Sequence, residues 1–303
     1  MKFSVWPNSA HPWAETRDFA TFVEAEGWDG LWYADHYMPN TGTTDRADGP
    51  MNECFSVLAA LAAVTSRMRL GSLVTPTTVN HPALIANRSA TIDNISGGRF
   101  VLGMGAGWQI NEHDAFGIEL FGAKDRVDRF EEAIRIVSSM LSEQRTTLKG
   151  KHFVVTDAPC DPKPVQSPLP ILVGTGGPRM LRLTARHAQE WNTWGTPHTT
   201  KAVMKRLLEA CEKEGRDPAT VRKSVQALFY IAPDAATADK IREKAPADRA
   251  VVGTIEQLNE AVAEFAAIGF DEVCVPDFTL GPTPQARRES YSAFMSGVVG
   301  NFR

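Results

Sequence analysis

The chain lacks several features that would point to particular classes of protein. Its 303 residues contain no long run of lysine and arginine and carry a formal net charge of -4, which disfavours nucleic acid or an anionic membrane as the main partner. No uninterrupted apolar stretch is long enough to span a bilayer. The four cysteines show no metal-ligand spacing, so we expect free thiols and no bound metal. No apolar signal region precedes the first strand-like segment, and we expect a cytoplasmic protein.

What the sequence does contain is a repeated alternation of short apolar runs and amphipathic segments. The apolar runs predict strands at residues 3–6, 30–34, 69–74, 100–104, 171–174, 190–194, 224–231 and 272–276. Helical periodicity predicts helices at residues 16–26, 55–65, 82–94, 126–141, 180–187, 201–214 and 255–267. Eight strands alternating with helices favour a (β/α)8 TIM barrel, formed as one domain by residues 1–303. The proline-rich segment at about 146–170 is interpreted as an insertion after the fourth helix region, with room for a short extra strand.

An aspartate and a histidine, Asp35 and His36, end the second predicted strand. Two interpretations stay open from the local sequence. Either Asp35 caps a turn and His36 is a half-exposed loop residue, or both face a site at the C-terminal mouth of the barrel. The other strand ends favour the second interpretation, because glycine, hydroxyl and tryptophan residues recur there. Such residues supply the flat apolar walls and backbone donors that a wide aromatic cofactor needs.

The stretch "GTGGPRML" after the fifth predicted strand indicates an anion site. Gly174, Gly176 and Gly177 would let the backbone approach a ligand closely, and Pro178 suits the first turn of a helix. Free amides at a helix start favour phosphate, and Arg179 could add a positive charge. A tight strand-to-helix turn that needs glycine only for its geometry is the alternative.

Three tryptophans, Trp6, Trp108 and Trp194, also lie at predicted strand ends. Any one of them would fit ordinary packing of a barrel core. Three at the same predicted rim are harder to place in a core, and they indicate a pocket lined by aromatic rings, which we expect to hold the substrate.

Together these stretches resemble the luciferase-like flavin and deazaflavin oxidoreductase superfamily. The resemblance covers almost the whole chain and rests on "GWDGLWYADHYMP", "TSRMRLGSLVTPTTVNHPALIANRSATIDNISGGRFVLGMGAGWQINEHDAFGI" and "PILVGTGGPRML". It implies a (β/α)8 barrel with an insertion, in agreement with the strand count. Within the superfamily, the Asp-His pair resembles the enzymes that use the deazaflavin coenzyme F420.

The resemblance also implies roles for individual residues. Asp35 would contact the cofactor, and His36 would lie beside the reactive ring carbon as the catalytic residue. Ser72 and Leu73 match the position of a non-prolyl cis peptide that bulges against the ring. Further cofactor contacts would come from Thr75, Gly105, Ala106, Gly107, Asn111, Gly174, Thr175, Gly176, Gly177 and Arg179.

Trp108 is an informative departure from the pattern that the resemblance implies. Sugar-phosphate dehydrogenases of this group carry a glutamate acid at that place, and tryptophan has no proton suited to the task. We therefore expect an apolar or aromatic substrate. Glu112 and His113 follow closely. They could replace the lost acid, which would put Glu112 among the substrate contacts, or form a solvated first helical turn, the interpretation favoured here.

The sequence thus predicts an F420-dependent oxidoreductase that transfers a hydride between the deazaflavin and a small organic substrate. An FMN-dependent monooxygenase is the alternative within the superfamily, because FMN carries a phosphate that would suit the same glycine turn. A catalytically silent flavin-binding protein is the alternative of another class. A hydrolase is disfavoured by the lack of a Ser-His-Asp order, a metal cluster or a spaced carboxylate pair. Related proteins imply a homodimer.

Overall fold

The structure, a computed structural model, describes residues 1–303 as thirteen strands and ten α-helices. The strands are β1 (Lys2–Trp6), β2 (Gly30–Tyr33), β3 (Arg69–Ser72), β4 (Thr75–Pro76), β5 (Phe100–Gly105), β6 (Thr146–Lys149), β7 (Val154–Ala158), β8 (Ile171–Gly174), β9 (Glu190–Trp194), β10 (Arg222–Gln226), β11 (Leu228–Ile231), β12 (Ala250–Gly253) and β13 (Glu272–Pro276). The helices are α1 (Trp13–Glu26), α2 (Cys54–Val64), α3 (Pro82–Ser96), α4 (Ile110–Ala115), α5 (Ala123–Ser142), α6 (Pro178–His187), α7 (Pro197–Lys213), α8 (Ala235–Arg242), α9 (Ile255–Ile268) and α10 (Pro284–Gly297).

Eight of these strands close into a parallel barrel, with β4 as a short continuation after β3. The order around the ring is β1, β2, β3, β5, β8, β9, β10 and β13, and β13 pairs again with β1. Every neighbouring pair in the ring is parallel, and helices lie between most successive strands. The predicted (β/α)8 barrel is confirmed.

The burial of the elements explains why these residues adopt them. All six residues of β5 are buried, as expected for a barrel strand that is covered on both faces. Helix α5 instead buries one stripe, which includes Phe130, Ala133, Ile134 and Val137 at helical spacing. That stripe holds the helix in the outer layer, where α5 packs between α3 and α6.

Two apolar clusters fill the molecule. The larger one lies between the strands and the surrounding helices. The smaller one is centred on the barrel strands and consists of Trp6, Trp32, Ala34, Leu73, Val101, Leu172 and Cys274. Three of its members, Trp6, Ala34 and Leu73, also line a cavity at the mouth of the barrel. The mouth therefore stands on a packed interior rather than on an open pore.

One strand prediction is wrong, at residues 224–231. The barrel strand β10 ends at Gln226, and β11 leaves the ring to pair in parallel with β12 in a separate two-stranded sheet. Ala227 between them is fully buried. The apolar run therefore continues from β10 into β11, and the sequence does not show where the barrel strand ends.

The remaining differences concern short or polar elements. Helices α4, α8 and α10 were not predicted, and the segment at about 146–170 begins as the antiparallel hairpin β6–β7. Helix α4 has six residues, too few to show a helical period. None of the ten helices combines the length and apolar composition needed to cross a membrane.

Candidate active site

A cavity of about 920 Å³ opens at the C-terminal end of the barrel. Each of the eight barrel strands contributes to its wall, from its last residues or from the loop that follows. Lining residues from these eight strand ends include Trp6, Ala34, His36, Leu73, Gly105, Gly174, Trp194, Gln226 and Phe278. The volume fits a small molecule or a cofactor, and the place is where barrels of this kind carry chemistry.

Aromatic rings form part of the cavity wall. The ring of Trp6 lies 5.5 Å from that of Trp194 and 5.3 Å from that of Phe278, distances typical of favourable aromatic pairs. Trp108 lines the same cavity from the loop after β5 and remains 56% exposed. Its ring meets the ring of His36 edge to face at 5.3 Å. The three predicted tryptophans thus surround one cavity.

His36 lines the cavity and is backed by a buried carboxylate. Its Nδ1 lies 3.0 Å from Oε1 of Glu112, and the other oxygen, Oε2, accepts a hydrogen bond of 2.9 Å from the backbone N–H of Tyr37. Glu112 is only 1% exposed. The interpretation of Glu112 as part of a solvated helical turn is therefore wrong, and the residue belongs to the cavity wall.

Helix α4 and the residue before it hold the segment that follows His36. The Gln109 amide donates a hydrogen bond of 2.8 Å to the carbonyl oxygen of Met38, and the Asn111 amide donates one of 2.8 Å to that of Pro39. Both side chains are buried. Asn111 was predicted to contact the cofactor, but it does not line the cavity, because its amide holds this loop in place.

Asp35 faces away from the cavity. Ala34 and His36 line the cavity on either side of it, and side chains alternate along extended backbone, so the Asp35 carboxyl points toward the helix layer. It is 1% exposed, and Asn80 Nδ2 donates to it at 3.4 Å. Burial raises its pKa to about 6, opposed by the neighbouring Thr75 hydroxyl. The contact of this carboxylate with the cofactor stays a prediction.

The cis peptide lies one residue later than predicted, between Leu73 and Val74. Ser72 still belongs to β3, where its hydroxyl donates to the carbonyl oxygen of Gly103 at 2.9 Å. Leu73 and Val74 line the cavity, whereas Ser72 is fully buried beneath it. The turn that shapes the cavity wall therefore begins only after the β3 ladder has ended.

Several glycines at strand ends make room for Val74. A Cβ atom on Gly105 would lie 2.7 Å from its Cγ2, and one on Gly174 would lie 3.0 Å from its Cγ1. The first distance would force a shift of the surroundings, and the second would require Val74 to move by a few tenths of an ångström. Gly174 also lines the cavity, so its approach to a ligand stays a prediction, while the space beside its Cα is occupied by Val74.

The next two glycines do have open space. A Cβ atom on Gly176 would meet only Val203, at 3.6 Å, and one on Gly177 would meet nothing within 4 Å. Helix α6 starts after Gly177 without a side-chain cap, and Thr175 and Gly176 line the cavity. Uncapped amides at a helix start are suited to an anion.

Arg179 does not reach this turn. It forms ion pairs with Asp128 at 2.5 Å and Glu131 at 3.0 Å, both on α5, and it does not line the cavity. Its guanidinium is engaged by carboxylates of α5, and its contribution of charge to the phosphate site stays a prediction. Asp128 also belongs, with Asp125 and His152, to a cluster of possible metal ligands outside the cavity, whose two carboxylates pair with cations.

Other predicted residues support the wall from behind. Thr75 is buried and does not line the cavity. Gly107, which lines it with Ala106, has a φ of +86°, and a Cβ atom there would lie 2.3 Å from Oγ1 of Thr78. That hydroxyl is 2.7 Å from Nε2 of His113, whose Nδ1 is 2.6 Å from the carbonyl oxygen of Gln109. Both ring nitrogens of buried His113 are therefore used in holding the loop.

Some cavity residues were not predicted. Phe278 lies two residues after the predicted strand at 272–276, so its position at a strand end could have found it. Gln109 directly follows the predicted site residue Trp108, and Met38 lies two residues after His36. Arg249 comes from the segment before β12, where the sequence gives no signal that the chain returns to the mouth of the barrel.

Comparison with known proteins gives a consistent result. The model of the luciferase-like monooxygenase family matches residues 1–247. The F420-dependent glucose-6-phosphate dehydrogenase of Kineococcus radiotolerans is 32% identical over 225 residues, which cover 73% of this chain and 65% of that protein. The enzyme of the same name from Microbacterium testaceum is 33% identical over 237 residues, 77% of this chain and 69% of that protein. The chain thus spans about two thirds of the length of these relatives.

A solved structure extends the likeness to the whole fold. The coenzyme F420-dependent tetrahydromethanopterin reductase of Methanopyrus kandleri superposes with a TM-score of 0.83. The alignment covers 100% of this chain and 99% of that chain, at 18% sequence identity. At that identity the superposition supports the (β/α)8 architecture alone.

Proposed function

The chain belongs to the luciferase-like monooxygenase family, and from this premise we propose that it is an F420-dependent oxidoreductase transferring a hydride between the deazaflavin and a small organic substrate. The observation that carries the proposal is the position of His36. It lies next to Trp108 in a cavity built from all eight strand ends, and Thr175 and Gly176 of the uncapped glycine turn line the same cavity. The curated relatives named above support F420 as the cofactor.

The residues of the cavity fit such a cofactor. The apolar side chains of Leu73, Val74 and the tryptophans offer flat walls to a ring system, and Thr175 with Gly176 offers an open turn to a phosphate. When bound, the deazaflavin would supply the hydride donor or acceptor. The protein supplies the walls, the anion site and a group that handles a proton.

His36 is the group that we assign to the proton. When a hydroxyl substrate is oxidised, its carbon loses a hydride and its oxygen loses a proton, and a neutral imidazole can accept that proton. In the reverse direction the imidazolium returns the proton to a carbonyl oxygen. No hydrogen bond within the protein engages Nε2, so this ring nitrogen remains free for the substrate.

The substrate that we propose is apolar or aromatic. Among the residues that line the cavity, Arg249 is the single lysine or arginine, and its guanidinium lies 3.3 Å from Asp248. A sugar phosphate would need cationic partners in addition to those used by the cofactor. Trp108 and Phe278, both about half exposed in the cavity, instead offer apolar area.

An FMN-dependent monooxygenase is the second candidate, because the family itself carries that description and FMN would use the same turn. Parallel fluorescence titrations with F420 and with FMN separate the two. We expect F420 to bind with a Kd of about 1 μM or lower, roughly -8 kcal/mol, and FMN at least tenfold more weakly. Protein that is purified with one equivalent of FMN, and binds it more tightly than F420, would overturn the cofactor assignment. No binding of either would favour a protein outside both classes.

A variant pair tests the turn within the same experiment. Gly176→Val adds a β-branched side chain where the cavity meets the turn, and open space there leaves the fold intact. We expect F420 affinity to fall at least tenfold. Gly122→Val is the control, because Gly122 also precedes a helix without a side-chain cap and has open space around it, but lies outside the cavity. Equal affinities for the two variants would contradict the phosphate site.

The homodimer, the single-domain organisation and the cytoplasmic location stay predictions.

A further inference from the structure

We propose that Glu112 is a positioning residue that fixes the tautomer of His36, so that the proton-accepting nitrogen of the neutral ring is the one left for the substrate. The inference concerns the side chains in the cofactor-free chain, and only its kinetic consequence rests on the proposed function. Three contacts carry it: those of Glu112 with His36 and with Tyr37, and the docking of α4 that holds Glu112 in place.

The two oxygens of Glu112 have different partners. Oε2 accepts from the backbone N–H of Tyr37, which can only donate. Oε1 lies 3.0 Å from Nδ1 of His36. An ionised carboxylate only accepts hydrogen bonds, so Nδ1 must carry a hydrogen in this arrangement. The neutral imidazole then has its lone pair on Nε2.

The buried carboxylate of Glu112 is contacted by two hydrogen-bond donors, one of them from this histidine. Glu112 is 1% exposed, and no lysine or arginine forms an ion pair with it. Burying a carboxylate is unfavourable unless hydrogen bonds or a cation compensate. The Tyr37 N–H and the Nδ1–H of His36 are the two donors that the structure provides, and each reaches a different oxygen.

Contacts between the loop after His36 and the start of α4 also hold Glu112 next to His36. Glu112 lies one residue after Asn111 and three after Gln109, whose amides bind the carbonyl oxygens of Pro39 and Met38. The segment that carries His36 is therefore joined to α4 and the residue before it by four hydrogen bonds. Such support of a reactive histidine by a carboxylate behind it sets both its tautomer and the orientation of its ring.

The substitution Glu112→Gln tests the assignment with almost no change of shape. The Tyr37 N–H still needs an acceptor, so the amide oxygen takes that place and the amide NH2 group faces Nδ1. This NH2 group can only donate, so Nδ1 must become the acceptor and the ring hydrogen moves to Nε2. The variant thus inverts the tautomer of neutral His36.

Nitrogen-15 NMR of histidine-labelled protein without cofactor reads the tautomer of the neutral ring directly. His36 signals are identified by their loss in His36→Gln. We expect hydrogen on Nδ1 in the wild type and on Nε2 in Glu112→Gln. The control, Glu119→Gln, removes an exposed carboxylate seven residues later and should leave the wild-type pattern. A wild-type signal with hydrogen on Nε2 overturns the proposal, and so does the same tautomer in both proteins.

Kinetics with F420 then separate this inference from the proposed function. We expect Glu112→Gln to lower kcat by about 100-fold or more, the usual scale for losing a general acid or base, with F420 affinity nearly unchanged. An inverted tautomer with unchanged kcat would confirm the positioning of the ring and contradict the proton-transfer role of His36. Absence of F420 binding by the wild type would contradict the proposed function, while the NMR result would still decide the role of Glu112.

Discussion

Asp35→Asn is expected to stabilise the protein at neutral pH, although it removes a residue next to the candidate catalytic histidine. The Asp35 carboxyl is buried on the helix side of the barrel wall, and Asn80 approaches it only at 3.4 Å. Burial raises its pKa to about 6 from an ordinary value of 3.8, with the nearby charge of Glu53 acting in the same direction. The folded chain therefore binds this proton more tightly than the unfolded chain does.

The sign of the pH dependence follows from that difference. Below about pH 3 the carboxyl is neutral in both states and contributes no pH-dependent cost. As the pH rises from 3.8 toward 6, the unfolded chain has lost the proton and the folded chain has not, so the free energy of unfolding falls by about 1.4 kcal/mol for each pH unit. At pH 7 the ionised carboxylate costs the folded state about 3 kcal/mol. Asparagine has nearly the same shape, carries no charge and removes this cost.

Urea unfolding of wild type and Asp35→Asn at pH 5, 6, 7 and 8 measures the effect. We expect the variant to gain stability over the wild type up to about pH 6 to 7 and to level off above it, at about 1 to 3 kcal/mol. Other titrating groups cancel in the difference between the two proteins. Asp48→Asn is the control, since Asp48 is exposed and should give a small, pH-independent difference. A flat difference for Asp35→Asn, or a loss of stability at pH 8, would refute the argument from burial.

Three further predictions use other parts of the structure. Gly174→Ala should lower the free energy of unfolding by about 1 to 3 kcal/mol, because its Cβ would lie 3.0 Å from Val74; Gly176→Ala should change it little, and urea unfolding compares the two. All four cysteines are buried, so a thiol reagent should label none of them in the folded protein and all of them in urea; rapid labelling in buffer would show that the core opens. His36→Ala should slow turnover by about 100-fold or more, and it should lower the free energy of unfolding by about 1 to 3 kcal/mol, because it leaves Oε1 of buried Glu112 without its donor; full activity would exclude a catalytic role.

The barrel was predictable because each of its strands and most of its helices carries a local signal. Buried parallel strands read as short apolar runs, and helices such as α5 show one apolar stripe, so the alternation alone gives the architecture. The error at residues 224–231 has a physical cause. The chain leaves the barrel ladder at Ala227 while its side chains remain buried, and burial is what an apolar run reports.

The candidate site was predictable in position but only partly in the direction of its side chains. Period-two alternation at the end of β2 places Ala34 and His36 on one face and Asp35 on the other, and this could have been read from the sequence. The buried state of Glu112 could not. A helix of six residues is too short to show an apolar period. The polar residues of "QINEH" therefore predict exposure to solvent, and only the docking of α4 on residues 37–39 shows that they are buried.

The glycines at the strand ends show that one residue type can have different roles at equivalent positions of the barrel. Gly105, Gly174 and Gly176 were all predicted to contact the cofactor. In the structure all three line the cavity, but the first two also pack against the side chain of Val74 from the turn after β3, and only Gly176 keeps open space beside its Cα. The distinction depends on contacts across the barrel wall, which link residues far apart in the chain and leave no local pattern. We therefore expect substitutions of Gly105 and Gly174 to lower the free energy of unfolding. A substitution of Gly176 should instead lower the affinity for a phosphate.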